Sequence, residues 1–182
     1  MKFIKQLTVL AGLALLGSPL LAQAGAPLTK HDVVQYMHFE VRITKTQNDM
    51  KAHAAQYDNV IQAFFKKEDA ILAEKGWTRD RYKDVQSRIF QVLDAMEKQA
   101  SMDAYANQRA KERADIMNNP YIPEKQKKQI LKAKGMLHQH DVDQVAGTRP
   151  DWPAVKPYRK TLIKLGHWAA GNTPEPPQLP DL

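Results

Sequence analysis

Cysteine is absent from the 182 residues of this chain. That excludes disulfides, thiolate metal sites, thioether-linked haem and a lipidated N-terminal cysteine, so stability must come from packing. Alternating apolar and polar runs are missing as well, and with them the signature of a half-buried strand. Beyond the first two dozen residues no stretch is apolar over the ~20 positions that a membrane-spanning helix needs. Serine is scarce: past the leader only Ser87 and Ser101 occur, neither in a glycine-flanked elbow, so a serine hydrolase lacks its motif. The glycines are scattered, which leaves no phosphate-cradling loop. No catalytic residue set and no cofactor is therefore expected. Nucleic acid is not an expected partner either, because no binding motif for it is present.

What is present begins with residues 1–24. Lys2 and Lys5 give a positive start, residues 7–16 form an apolar run, Pro19 interrupts it, and Ala22-Gln23-Ala24 places small residues where a signal peptidase reads. The pattern predicts an export signal cleaved after Ala24 and a protein working in the periplasm or outside the cell. An uncleaved anchor is the rival reading, but the run is short and holds a proline. The formal net charge is +7, and removing two leader lysines leaves the remainder basic. A basic exported domain favours acidic or unfolded protein partners and other anionic surfaces.

The rest reads as one all-α domain over residues 25–170, followed by a disordered, proline-rich tail at 171–182. Thr29 with Asp32 resembles a capping box, and Val33, Met37 and Val41 share one helical face. The polar stretch 44–49 predicts a break between helices at about 30–46 and 49–75. In the second, Met50, Ala54, Tyr57, Ile61, Phe64 and Ile71 recur at heptad-like spacing. Residues 75–82 predict a sharp corner. Gly76 suits the left-handed helix end, Trp77 falls where it can touch Leu72, and Thr78 caps the next helix, with Trp77 and Tyr82 at staple positions. Tyr82, Val85, Ile89, Val92 and Met96 then mark the cleanest stripe in the chain. Across this corner the pattern predicts an antiparallel helical hairpin over 49–99, extended into a small bundle of four to six helices.

Past Ala100 the pattern weakens, resumes at Tyr105, Arg109 and Ile116, and stops at Asn118-Asn119-Pro120. Pro123-Glu124 starts another helix with Ile130, Ala133 and Leu137 on its apolar edge. Residues 138–150 are polar and read as a loop. A last helix begins near Asp151 or Pro157, with Val155, Tyr158, Leu162 and Leu165 buried.

Three constellations carry chemistry. Met136, His138, His140 and Asp141 form the sharpest metal candidate, because Met/His sets suit copper and His/Asp sets suit zinc or nickel. Two histidines two positions apart point ~200° from each other on a helix, so this site requires the stretch to be looped. The pairs His31 with His38 and Met50 with His53 are lesser candidates. Haem held by methionine and histidine is weighed against Met37, Met50 and Met96, which sit on apolar stripes as gap-fillers. The stretch 109–134 carries eight Lys/Arg against three acids, and Lys125, Lys128 and Lys132 share one helical face suited to an anionic partner. The i,i+4 acids Asp80 and Asp84, beside Arg79, Arg81, Lys83 and Arg88, read as a solvated helix face.

The Gly76-Trp77-Thr78 turn with Arg81-Tyr82, together with the terminal helix at 153–165, resembles small exported helical bacterial proteins of unknown function. That resemblance implies a compact helical fold and no activity. Leu28-Thr29 with Asp32, and residues 122–126 with Gln126, resemble the Leu-Thr-x-x-Gln helix starts of the Spy and CpxP type of periplasmic stress chaperone. Asp32 replaces glutamine in the first copy, and isoleucine-proline replaces leucine-threonine in the second. The second resemblance implies a chaperone-like role without catalysis. The sequence thus predicts an exported, non-catalytic helical binding or accessory protein, with a Spy/CpxP-like chaperone and a copper-, zinc- or nickel-binding protein as alternatives.

Overall fold

The computed structural model describes residues 26–182, so the expected export signal and its cleavage after Ala24 lie outside the described residues. The bundle consists of α1 (Lys30–Ala52), a 3-10 turn (Ala54–Gln56), α2 (Val60–Ala73), α3 (Arg79–Ala104), α4 (Ala106–Asn118) and α5 (Glu124–Thr148). A helical staircase follows: a 3-10 turn (Arg149–Asp151), α6 (Trp152–Val155), a second 3-10 turn (Lys156–Tyr158) and α7 (Arg159–Ala169). No strand occurs among the described residues. The chain is all-α.

Helix α1 is the spine because it is apolar over much of its circumference. Val33, Tyr36, Met37, Phe39 and Ile43 are all buried, giving a face wide enough for several neighbours. Its start is fixed by a true capping box: Thr29 Oγ1 accepts from the Asp32 amide at 3.1 Å and the Thr29 amide donates back to Asp32 Oδ2 at 2.9 Å. Arg42 pairs with Glu74 at 2.6 Å, Phe39 meets Trp77 at 5.2 Å between ring centres, and Gln86 donates to the Tyr36 hydroxyl at 3.3 Å. Arg42–Glu74 and Phe39–Trp77 bring the end of α2 and its corner back to the middle of α1, so α2 runs antiparallel to α1. The antiparallel hairpin is therefore α1 with α2, closed through Ala54–Gln56. This corrects the expectation that it spans 49–99. The ties between α2 and α3 gather at their corner, where Arg79 reaches Glu68 at 2.8 Å and Asp69 at 2.9 Å.

The corner itself follows the expected chemistry. Gly76 has φ +70. Trp77 N–H donates to the Leu72 carbonyl and Gly76 N–H to the Ala73 carbonyl, both at 3.0 Å, the two bonds of a Schellman motif. Leu72, Trp77 and Tyr82 are buried, and Thr78 accepts from the Arg81 amide at 3.2 Å. The Arg81 guanidinium covers the Trp77 ring at 4.6 Å.

Three expected boundaries move. The break predicted at 44–49 falls at 53–59, because Thr44 is buried on the core face while Asn59 accepts from the Gln62 amide and caps α2. The loop predicted at 138–150 is the second half of α5 and the turn after it. The tail expected to be disordered carries no helix but lies against α1: Leu179 packs on the core and the Pro180 carbonyl meets His38 Nε2 at 2.8 Å. Its prolines remove helix-forming donors while one leucine still supplies apolar area.

A buried clasp locks the head. Asp151 Oδ1 accepts from the Leu28 amide at 2.8 Å, and Arg88 grips both Asp151 oxygens at 2.6 and 2.9 Å. Around it α6 and α7 contribute Val155, Leu162, Leu165 and Trp168 to the core.

Candidate functional site

Helix α3 is 26 residues long, about 39 Å at 1.5 Å per residue. Its first half belongs to the head, through Tyr82, Val85, Ile89 and Val92. Leu93 and Met96 still pack on that core, and beyond them the helix forms an arm with α4 and α5. The arm is unevenly packed: α5 lies close along α3, where Ala95 and Val145 are buried, whereas α4 buries no residue. Polar ties supplement this packing. Lys98 donates to Gln144 at 2.6 Å, Lys134 pairs with Glu112 at 2.6 Å, and Arg109 donates to the Met102 carbonyl. Exposed pairs of this kind stabilise weakly, by about 0–1 kcal/mol each.

Between the three helices lies a cleft of about 470 Å³. Apolar Met102, Ala110 and Leu131 line it together with cationic Lys98, Arg109 and Arg113. A second hollow of about 400 Å³ shares Met102, Arg109 and His138 and continues past Val142 and Val145 towards Arg149. The two read as one elongated concavity, partly apolar, in which five Lys/Arg side chains outnumber the acids Glu112, Asp141 and Asp103. Ser101, His138 and Asp141 also line the first cleft. No hydrogen bond joins Ser101 to His138, or His138 to Asp141, among the described residues.

The metal candidates are separated by the helix that carries them. His138 and Asp141, three apart, line the cleft, whereas Met136 and His140, four apart, occupy another face, with Met136 64% exposed. No group of three or more metal-ligating His, Asp or Glu side chains occurs among the described residues. Lys125, Lys128 and Lys132 are all exposed on α5. The lysine between them, Lys127, is buried, and its ammonium closes the arm's tip by meeting the Met117 carbonyl and Glu124 Oε1, each at 2.8 Å. Sequence reasoning missed Lys127, although i,i+3 spacing to Glu124 and a preceding helix end were both visible.

A second polar cluster sits inside the head. Tyr82 donates a short hydrogen bond to Glu40, and Gln86 lies beside both Glu40 and Tyr36. Burial pushes the Glu40 carboxyl up, against the Tyr82, Tyr36 and Thr44 hydrogen bonds that pull it down. The Tyr82 phenol is also driven far above its ordinary range, first by burial and then by Glu40. Asp32 goes the other way: burial alone would raise it, but bonds from Thr29 and the Arg81 guanidinium together hold it low. Glu68 faces Arg79 across a buried ion pair at 2.8 Å whose atoms are out of hydrogen-bond alignment. Glu40 and Tyr82 are enclosed between α1 and α3, where their ionisation bears on stability.

No protein-family model matches this chain, and neither a curated protein nor a solved structure is similar to it.

Proposed function

We propose that this is a non-catalytic binding or accessory protein, exported from the cytoplasm, whose arm takes an extended acidic segment of a partner or unfolded protein. The observation that carries the reading is the concavity between α3, α4 and α5, where Met102 and Leu131 stand beside Arg109 and Arg113. An acidic chain with apolar side chains complements both characters at once. The light packing of α4 favours adaptation to variable segments, since a lining with few buried contacts can rearrange at low cost. The absence of hydrogen bonding around Ser101 and His138 among the described residues gives no support to a hydrolytic reading.

Fluorescence anisotropy with a labelled, chemically unfolded acidic polypeptide tests this. Binding should be saturable and should weaken at least tenfold in the Arg109→Glu/Arg113→Glu variant. Equal affinity for an unfolded basic polypeptide, or no binding at all, would overturn it.

A further inference from the structure

The arm's outer end has a different character from its cleft. Between α4 and α5 the chain runs through Pro120, Tyr121, Ile122 and Pro123, and Tyr121 is 91% exposed. Met117, one residue before the end of α4, is 49% exposed. This protrusion is stiffly built. Two prolines restrict its backbone, the Asn119 side chain accepts from the Tyr121 amide at 2.9 Å, and Lys127 ties the end of α4 to the start of α5 from beneath. Taking an ammonium out of water is unfavourable unless it is well bonded; here the buried lysine bonds the Met117 carbonyl and Glu124 and so ties the two helix ends that flank the exposed Tyr121 turn. On the adjoining turns Lys125 and Lys128 are exposed, and no ion pair is found for either among the described residues.

We infer that this tip docks on an anionic lipid surface, as a site separate from the cleft. Tyrosine is favoured at the boundary between headgroups and acyl chains, where its ring is apolar and its hydroxyl stays wet. The neighbouring ammonium groups, four and seven positions along the chain from Tyr121, complement phosphate headgroups. No described helix is long and apolar enough to cross a membrane, so the contact is with the surface, shallow and reversible. An acidic protein face would satisfy the lysines but gives no reason to present Tyr121 and Met117 bare at the apex.

Vesicle co-sedimentation of the full chain tests this, with residues 1–25 common to every sample. Vesicles are either phosphatidylcholine alone or a mixture with phosphatidylglycerol. The chain should partition onto the anionic vesicles and be released at about 0.5 M salt, as screening requires. Lys125→Glu/Lys128→Glu should lower partitioning at least tenfold, and Tyr121→Ala about fivefold, with helical circular dichroism unchanged. The per-lysine attraction near such a surface corresponds to about a fivefold change. Equal partitioning of wild type and variants, equal binding to uncharged vesicles, or capture of an acidic polypeptide by the tip lysines without vesicle binding would each overturn the proposal.

Discussion

Asp151 shows how much one carboxylate can hold. It receives the Leu28 amide and the two-pronged Arg88 guanidinium while its own side chain is 10% exposed. Removing it orphans a backbone donor and strands a largely buried cation. Asp151→Ala should therefore lower the unfolding free energy by about 3 kcal/mol, read from urea denaturation at constant m-value. Nothing in the sequence distinguishes Asp151 from the other acids, because its partners lie 123 and 63 positions away. Glu40 gives a signed pH effect. Its folded pKa lies above the ordinary value of 4.5 through burial, so its neutral form is the one the fold prefers. Its contribution is complete below that ordinary value and is lost as pH rises through the folded pKa. Glu40→Gln keeps an acceptor for the Tyr82 hydroxyl and cannot ionise. The variant should gain on wild type as pH rises from about 4.5 through the folded pKa and hold that gain above it, by no more than about 1.4 kcal/mol per pH unit between the two. Urea midpoints of both proteins across that range check it, and parallel curves would refute it.

Among the elements, glycine separates two roles that a residue count merges. Gly76 holds φ +70 at the corner, whereas Gly147 lies inside α5, and a Cβ at either meets nothing within 4 Å. With space not the issue, only backbone preference remains. Gly76→Ala should cost about 1 kcal/mol, and Gly147→Ala should gain about 0.5–1 kcal/mol. Thermal melts by circular dichroism should move in opposite directions. The corner, the Thr29 cap and the stop at Asn118 were legible in the sequence because each rests on a local backbone requirement that a few residue types satisfy. The length of α5 was not. Its second half buries Val145 alone among the described side chains, so no stripe announces it, and polarity there reads as loop. The break after α1 was misplaced for the converse reason. Thr44 is polar by composition yet sits on the buried face beside Glu40, a pairing visible only once the helix has formed.

At the scale of the molecule, a well-packed head carries an unevenly packed arm. Amides of α1 and the first half of α3 should exchange near the rate of global unfolding. Those of α4 and the middle of α5 should exchange faster by at least a hundredfold, through local opening. Hydrogen-exchange mass spectrometry resolves the two classes, and uniform protection would contradict the division. All-helical architecture followed from periodicity, but the cleft did not. Its lining comes from three helices that share no sequence motif, and Lys98, Arg109 and Arg113 each look like ordinary surface cations in the primary structure. The clasp between Leu28 and Asp151 also has a temporal meaning. During synthesis or threading from the N-terminal end, α1 emerges long before its carboxylate anchor and before the Val155–Trp168 segment that seals it. The spine must wait, its greasy flank uncovered, until nearly the whole polypeptide has arrived. Any nascent or nicked form ending ahead of residue 150 therefore presents that flank to whatever holdase or proteolytic machinery surrounds it.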